Sequence, residues 1–217
     1  MFFMTEKLKK RVEELEPYRY RDVQEISEFL FQESDGTVPN PKVPEAFDGF
    51  SKGTVGMHWS GWDAYLWLHL EADLPDAWKD KKIIGLFDFG NTGGGNNRGF
   101  EAMLYRNGKP FQGVDANHKE VFEKEAAGKK SSLTFRLWSR MEGGGIPMAQ
   151  EHKIRRAAFA WLDEKVDDLY YLAKMMVETV ELFRRRSPER YQLLKAVNDA
   201  FLEIDWSYPG SQEFYVP

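Results

Sequence analysis

Between residues 54 and 161 the apolar residues recur at every second position, whereas before and after that span they recur every third or fourth. A period of two sends alternate side chains to opposite faces of a strand; steps of three and four gather them on one side of a helix. The change of period therefore asks for a sheet structure with helices at both ends. In Leu133-Thr134-Phe135-Arg136-Leu137-Trp138-Ser139-Arg140, Leu133, Phe135 and Leu137 share one face, and Thr134, Arg136, Trp138 and Arg140 the other. Leu66, Leu68 and Leu70 stand likewise against Tyr65, Trp67 and His69, and Ile83, Phe87 and Phe89 form the next apolar set. Short runs of this kind separated by turn signals predict an antiparallel β-sandwich. The Asn107-Gly108 pair lies between two such runs and tolerates the positive φ of a tight hairpin turn. Two glycine clusters, Gly90-Asn91-Thr92-Gly93-Gly94-Gly95-Asn96-Asn97 and Gly143-Gly144-Gly145, are expected as loops at the sandwich ends.

Ahead of the sandwich, Leu8, Val12 and Leu15 predict a helix over residues 5–16, with Thr5 as its cap and Pro17 as its stop. Val23, Ile26, Phe29 and Leu30 suggest a second amphipathic helix over 21–31. Val38-Pro39-Asn40-Pro41-Lys42-Val43-Pro44 then reads as an extended connector, because its prolines exclude regular helix. After the sandwich, Leu162, Val166, Leu169, Ala173, Met176, Val180 and Phe183 alternate steps of four and three, which marks a helix facing a partner surface. Ser187 caps a further helix with Pro188 at its first position and Leu194, Val197, Phe201 and Ile204 along its buried side. The organisation expected is an N-terminal helical segment with a Pro-rich connector over 1–46, a sandwich over 47–162 and a helical extension over 163–217.

Composition narrows the function classes. Seven Trp and sixteen Phe supply ample apolar area, so a packed protein is expected despite 30% charged residues. A net charge of −5 gives no global field for a nucleic-acid backbone, and Arg184-Arg185-Arg186 reads as a solvated helix end. With no cysteine there are no disulfides, thiolate metal sites or cysteine nucleophiles, which fits a reducing cytoplasm. Met1-Phe2-Phe3-Met4 is too short for a signal sequence, and no run approaches the roughly 18 apolar residues of a membrane span. Neither a nucleic acid nor a membrane is an expected partner.

The residues that could carry chemistry each have two readings. His58, His69, His118 and His152 show no metal-ligand spacing and are expected as structural or surface histidines. Asp88, Glu101 and Asp115 lie in the sandwich region, where they suit either a sugar site or strand-end solvation. Trp59, Trp62 and Trp138 suit a sugar-stacking platform, and equally a sandwich core or a face that meets another domain. Asp115, Asn117 and His118 follow a hairpin strand and are candidates for carbohydrate or inter-domain contact. No catalytic or metal-binding residue is assigned.

The string Asn107-Gly108-Lys109-Pro110-Phe111-Gln112-Gly113-Val114-Asp115-Ala116-Asn117-His118-Lys119-Glu120 resembles the amino-terminal sandwich of bacterial glycoside hydrolase family 38 α-mannosidases. Asp88-Phe89-Gly90 with Gly99-Phe100-Glu101, then Arg136-Leu137-Trp138-Ser139, Trp161-Leu162-Asp163-Glu164 and Asp168-Leu169-Tyr170-Tyr171 extend the resemblance over most of 47–217. The resemblance implies an α+β chain: an antiparallel, jelly-roll, galactose-binding-domain-like β-sandwich with an N-terminal helix and a C-terminal helical hairpin. It also implies a multidomain enzyme in which a later catalytic domain uses zinc for retaining hydrolysis of α-mannosides. That domain's His-x-Asp-x-x-Trp-x-Trp motif is absent from these residues, so zinc belongs with the catalytic domain and no cofactor is expected in this chain. The chain is expected to end before that domain, to act as a non-catalytic accessory and assembly domain, and to show no activity alone. Its expected partners are the downstream catalytic domain, a second copy of itself and a mannose-containing glycan. The alternative is an autonomous carbohydrate-binding module.

Overall fold

The computed structural model describes residues 4–38, 40–90, 99–123, 127–141 and 147–215. Its strands in chain order are β1 (Tyr20–Glu25), β2 (Glu28–Ser34), β3 (Ser51–Thr54), β4 (His58–Gly61), β5 (Tyr65–Asp73) and β6 (Ile83–Asp88). There follow β7 (Glu101–Arg106), β8 (Lys109–Asp115), β9 (Glu120–Phe122), β10 (Lys130–Trp138), β11 (Gln150–Lys153) and β12 (Arg156–Leu162). The helices are α1 (Met4–Leu15), α2 (Glu164–Thr179), α3 (Pro188–Leu202) and the single turn α4 (Gln212–Tyr215). The chain divides into two compact units, residues 22–161 and residues 1–21 with 162–217. None of the described helices is long and apolar enough to cross a membrane.

The first unit is the sandwich. A six-stranded sheet runs in the order β3-β2-β5-β10-β7-β8, a four-stranded sheet in the order β1-β12-β6-β9, and β11 pairs with β4. The register of β10 on β5 pairs Leu133 with Leu70, Phe135 with Leu68 and Leu137 with Leu66, so the alternation read from the sequence becomes one apolar face. All six of these side chains are buried. They meet Ile83 and Phe87 of β6 and Ala157 and Phe159 of β12 in a single core. At its centre Phe87 lies 4.9 Å from Phe135 between ring centroids, and Phe89 lies 5.0 Å from Phe135. The turn at Asn107 and Gly108 takes φ of 49° and 70°, the two positive values that let the strands of a tight hairpin keep their twist.

Two expectations ahead of the sandwich differ from the structure. Residues 21–31, expected as helix, lie in β1 and β2 and the bend between them. Val23, Ile26, Phe29 and Leu30 have helical spacing, but β2 has hydrogen-bonding neighbours on both sides, β3 and β5, and that pairing decides the conformation. Likewise the segment around 38–44 joins β2 to β3 inside the sandwich unit; Pro39 itself lies outside the described residues. The loops expected over Gly90–Asn97 and Gly143–Gly145 also lie outside them, Gly90 excepted.

In the second unit three helices share one core. Leu8, Val12 and Leu15 of α1 pack with Val166, Tyr170, Ala173 and Val177 of α2 and with Leu194, Val197 and Phe201 of α3. Burying each such side chain contributes roughly 1.5–3 kcal/mol, enough to hold helices of 12–16 residues that would fray alone. Asp163 caps α2 by accepting from Val166 N, and Ser187 caps α3 by accepting from Arg190 N. Thr5, expected as a cap, sits inside α1, where its hydroxyl accepts from Arg190. The buried stripe of α2 is turned by one residue from the sequence expectation: Tyr170 and Val177 are buried, while Leu169 and Met176 are only half-buried. With α1 as well as α3 to face, the buried side is broader than a single seam. Arg19 closes the unit, fully buried and bonded to Asp167 at 2.6 Å and to the hydroxyls of Tyr20 and Tyr171 at 2.9 and 3.2 Å.

Candidate functional site

The strands that build the core also build a second surface, because every residue pointing away from the core lines up across the sheet. Asp115, Glu101, Trp138, Tyr65 and Ser34 form one row through β8, β7, β10, β5 and β2. The next row is Gly113, Met103, Arg136, Trp67 and Gln32, and beyond the bulge at Leu104 and Tyr105 come Tyr105, Thr134, His69 and Leu30. This face is aromatic with polar tips.

One half of the face is covered by the loop between β2 and β3. Phe47 stacks on His69 with centroids 3.6 Å apart, and Arg136 donates to the Asp35 carbonyl at 3.2 Å. The Arg136 guanidinium lies 4.3 Å from the centre of the Tyr65 ring, a cation over a π face. His69, buried and bonded to the Thr134 hydroxyl at 3.0 Å, has its pKa lowered by burial, with Glu71 pulling the other way.

The other half, over β10, β7 and β8, is an open groove of about 320 Å³ lined by Tyr65, Glu101, Met103, Tyr105, Gly113, Asp115, Arg136 and Trp138. Trp138 is fixed by a 2.8 Å bond from its Nε1 to Asp63 and lies nearly parallel to Tyr65, at 18° and 6.2 Å. Asp63 and Arg140 both take the left-handed backbone conformation, with φ of 54° and 67°, and Asp63 N bonds the Arg140 carbonyl at 3.1 Å. Ser139 ties the same corner together, since its hydroxyl accepts from Ala64 N at 2.9 Å. The ring of Trp138 is thus held by the corner that ends β10. Arg140 reaches back to Glu101 at 2.5 Å.

Of the residues singled out in the sequence, Trp138, Asp115 and Glu101 meet in this groove. The bonds of Asp115 are local: it accepts from Asn117 N at 2.7 Å, His118 N at 2.8 Å and the His118 ring at 3.0 Å. Burial raises its pKa, but these donors outweigh it and hold the carboxyl below its usual value. Asn117 and His118 are exposed at the adjoining turn and do not line the groove. Trp59 is elsewhere, buried with Nε1 bonded to the Phe89 carbonyl at 2.8 Å and its ring stacked 4.5 Å from His152, so its face is closed to a ligand. Trp62 is 55% exposed and outside the groove lining. Asp88 is bonded to Lys119 at 2.6 Å.

Sequence reasoning missed Tyr65, Met103, Tyr105, Gly113 and Arg136 as groove residues. The alternation that set Tyr65 against the leucines was a usable signal for its face. The register across four strands was not.

The four histidines each have a partner in the structure. His58 is bonded to Glu151 at 2.6 Å, His69 to Thr134, His118 to Asp115 and His152 to the Ser139 carbonyl at 2.9 Å. Among the described residues no three His, Asp or Glu side chains converge as metal ligands.

Comparison with known proteins places this sandwich. Residues 30–155 match the family model of the α-mannosidase jelly roll domain, a span that takes in β3 to β11 entirely and most of β2. Among solved structures, the β-glucuronidase of Ruminococcus gnavus in complex with uronic isofagomine is 13% identical with a TM-score of 0.45, the match covering 66% of this chain and 28% of that one. The apo form of that enzyme is 12% identical with a TM-score of 0.46, covering 66% and 29%. The chain thus spans less than a third of the length of these solved structures. Among curated proteins none matches. On the family match, which takes in more than half of its residues, the chain belongs to the α-mannosidase jelly roll domain family.

Proposed function

We propose that this chain is a non-catalytic accessory and assembly domain of a cytoplasmic α-mannosidase of glycoside hydrolase family 38, whose catalytic domain, in the same polypeptide, performs zinc-dependent retaining hydrolysis. The observation that carries the accessory role is the family match over residues 30–155, which falls on the sandwich. The chemistry of the groove supports it. A retaining glycosidase needs one carboxylic acid that stays protonated near neutral pH to donate to the leaving group, beside a second that attacks. Asp115 is held below its usual pKa by its donors, so it is not poised to give up a proton, and Glu101 is bonded to Arg140. The assembly role is supported by α2, whose side away from the helical core carries Tyr171, Leu172 and Met175, all about half exposed. Such a stripe fits a further surface of the same polypeptide or a second copy.

The test is an assay of the 217-residue chain with an aryl α-mannoside, with and without added zinc or cobalt. No turnover is expected. Turnover that copurifies with the chain and disappears in Asp115→Asn or Glu101→Gln would overturn the reading.

A further inference from the structure

The groove over β10, β7 and β8 has a floor that neither the fold nor the backbone requires. Gly113 lies in the middle of β8, opposite Met103, yet a Cβ there would meet nothing within 4 Å. Its φ is outside the left-handed range, so no turn geometry asks for glycine. Glycine weakens a strand, and where packing and backbone both leave room for a side chain, its use marks a place where something else comes close.

What surrounds that opening has consistent chemistry. Trp138 offers an aromatic ring fixed by Asp63, and Met103 adds a flexible apolar surface, 38% exposed. A ring already immobilised loses little entropy when a ligand stacks on it. Around these stand acceptors, the carboxylates of Glu101 and Asp115, and a donor, the guanidinium of Arg136, while Arg140 pairs with Glu101 from outside the lining. With Glu101 paired to Arg140, Asp115 and Arg136 leave no excess of either sign in the lining, which suits a neutral ligand. The alternation of acceptors and donors suits groups that both donate and accept, which hydroxyls do. The volume of about 320 Å³ is at the small end of ligand sites, room for a sugar ring or the end of an oligosaccharide.

We propose that this groove is a binding site for a neutral pyranoside, seated against Trp138 and over Gly113, with its hydroxyls taken by Glu101, Asp115 and Arg136. Only the choice of mannose as first probe rests on the function proposed above. The site's preference for an uncharged, polyhydroxylated ring rests on the groove.

The experiment titrates the full chain with methyl α-mannoside, α-linked mannotriose, methyl α-glucoside and glucuronate, read by amide chemical shifts and tryptophan fluorescence. Saturable binding of a neutral sugar is expected, with shifts centred on β7, β8 and β10. Gly113→Leu, whose Cβ would meet nothing within 4 Å, and Trp138→Ala should each weaken it about tenfold or more. The thermal midpoint of Gly113→Leu should not fall, which separates a blocked groove from a damaged fold. Binding of the glucoside without the mannoside upholds the groove and counts against the α-mannosidase assignment; turnover in the mannoside assay counts against the accessory role and leaves the groove standing. The proposal is overturned if no neutral sugar saturates, if Gly113→Leu binds as well as the parent chain, or if glucuronate binds best. It is also overturned if this face instead mediates self-association that Gly113→Leu abolishes without any sugar response.

Discussion

The two faces of the six-stranded sheet are made by the same strands, residue by alternate residue, and they differ in kind. Inward, Leu66, Leu68, Leu70, Leu133, Phe135 and Leu137 present only hydrocarbon and are buried almost completely. Outward, Tyr65, Trp67, His69, Arg136 and Trp138 present rings and stems with a polar atom at the end. An inward side chain is held by the atoms around it on all sides. Of the outward ones, Trp138 is held at its tip by its bond to Asp63 and His69 by its bond to Thr134. Packing makes the first face intolerant of change; the second can be altered one bond at a time, which is what a surface needs if it is to acquire a ligand.

The contrast is sharpest for Phe135, wholly buried between Phe87 and Phe89. Phe135→Ala should cost about 3–5 kcal/mol, read as a lower urea midpoint with an unchanged slope. On the other face Trp138→Phe keeps a ring and removes the bond to Asp63. A loss of about 0.5–1.5 kcal/mol is expected. Equal losses from the two would break the comparison.

The third expected effect is a slope with pH. Burial lowers the pKa of His69, so the folded chain binds that proton more weakly than the unfolded chain. Its contribution is intact above the ordinary histidine value of about 6.5 and is lost as pH falls from there through the lowered folded value. His152 is shifted the same way by its burial, with its bond to Ser139 opposing. The thermal midpoint should therefore decline between about pH 7 and 5, and His69→Gln should make the decline shallower while leaving the share of His152. A midpoint in the wild type that stays flat over that range would show that His69 is not held neutral beneath Phe47.

How much of this could be read from the sequence depended on whether a feature was local. The alternation in β5 and β10 and the turn at Asn107-Gly108 are set within a few residues, and the structure keeps them. Residues 21–31 carry a spacing that suits a helix, and only their partners, far along the chain in β3 and β5, make part of them a strand. For the same reason the one-residue turn of the buried stripe on α2 was hidden: it follows from α1, more than 140 residues earlier. The groove was half legible. Trp138, Asp115 and Glu101 stood out by residue type, whereas Gly113 and Met103 gain meaning only from being opposite one another across β7 and β8.

The division of the chain has a consequence for how the helical unit comes into being. On a ribosome, α1 emerges first and its partners in α2 only after residues 22–161 have been made, a wait on the order of ten seconds at ordinary rates of synthesis. Bringing two ends together across a flexible stretch of that length would cost about 4 kcal/mol in chain entropy. The sandwich removes that cost in advance. With β1 beside β12, Trp161 Nε1 bonds Asp22 at 2.8 Å and Ile26 N bonds the Ala157 carbonyl at 2.8 Å, so the strands leading out of the sandwich start side by side. The sandwich is a splint: once set, it delivers the two halves of the helix bundle to each other as if they were neighbours in sequence.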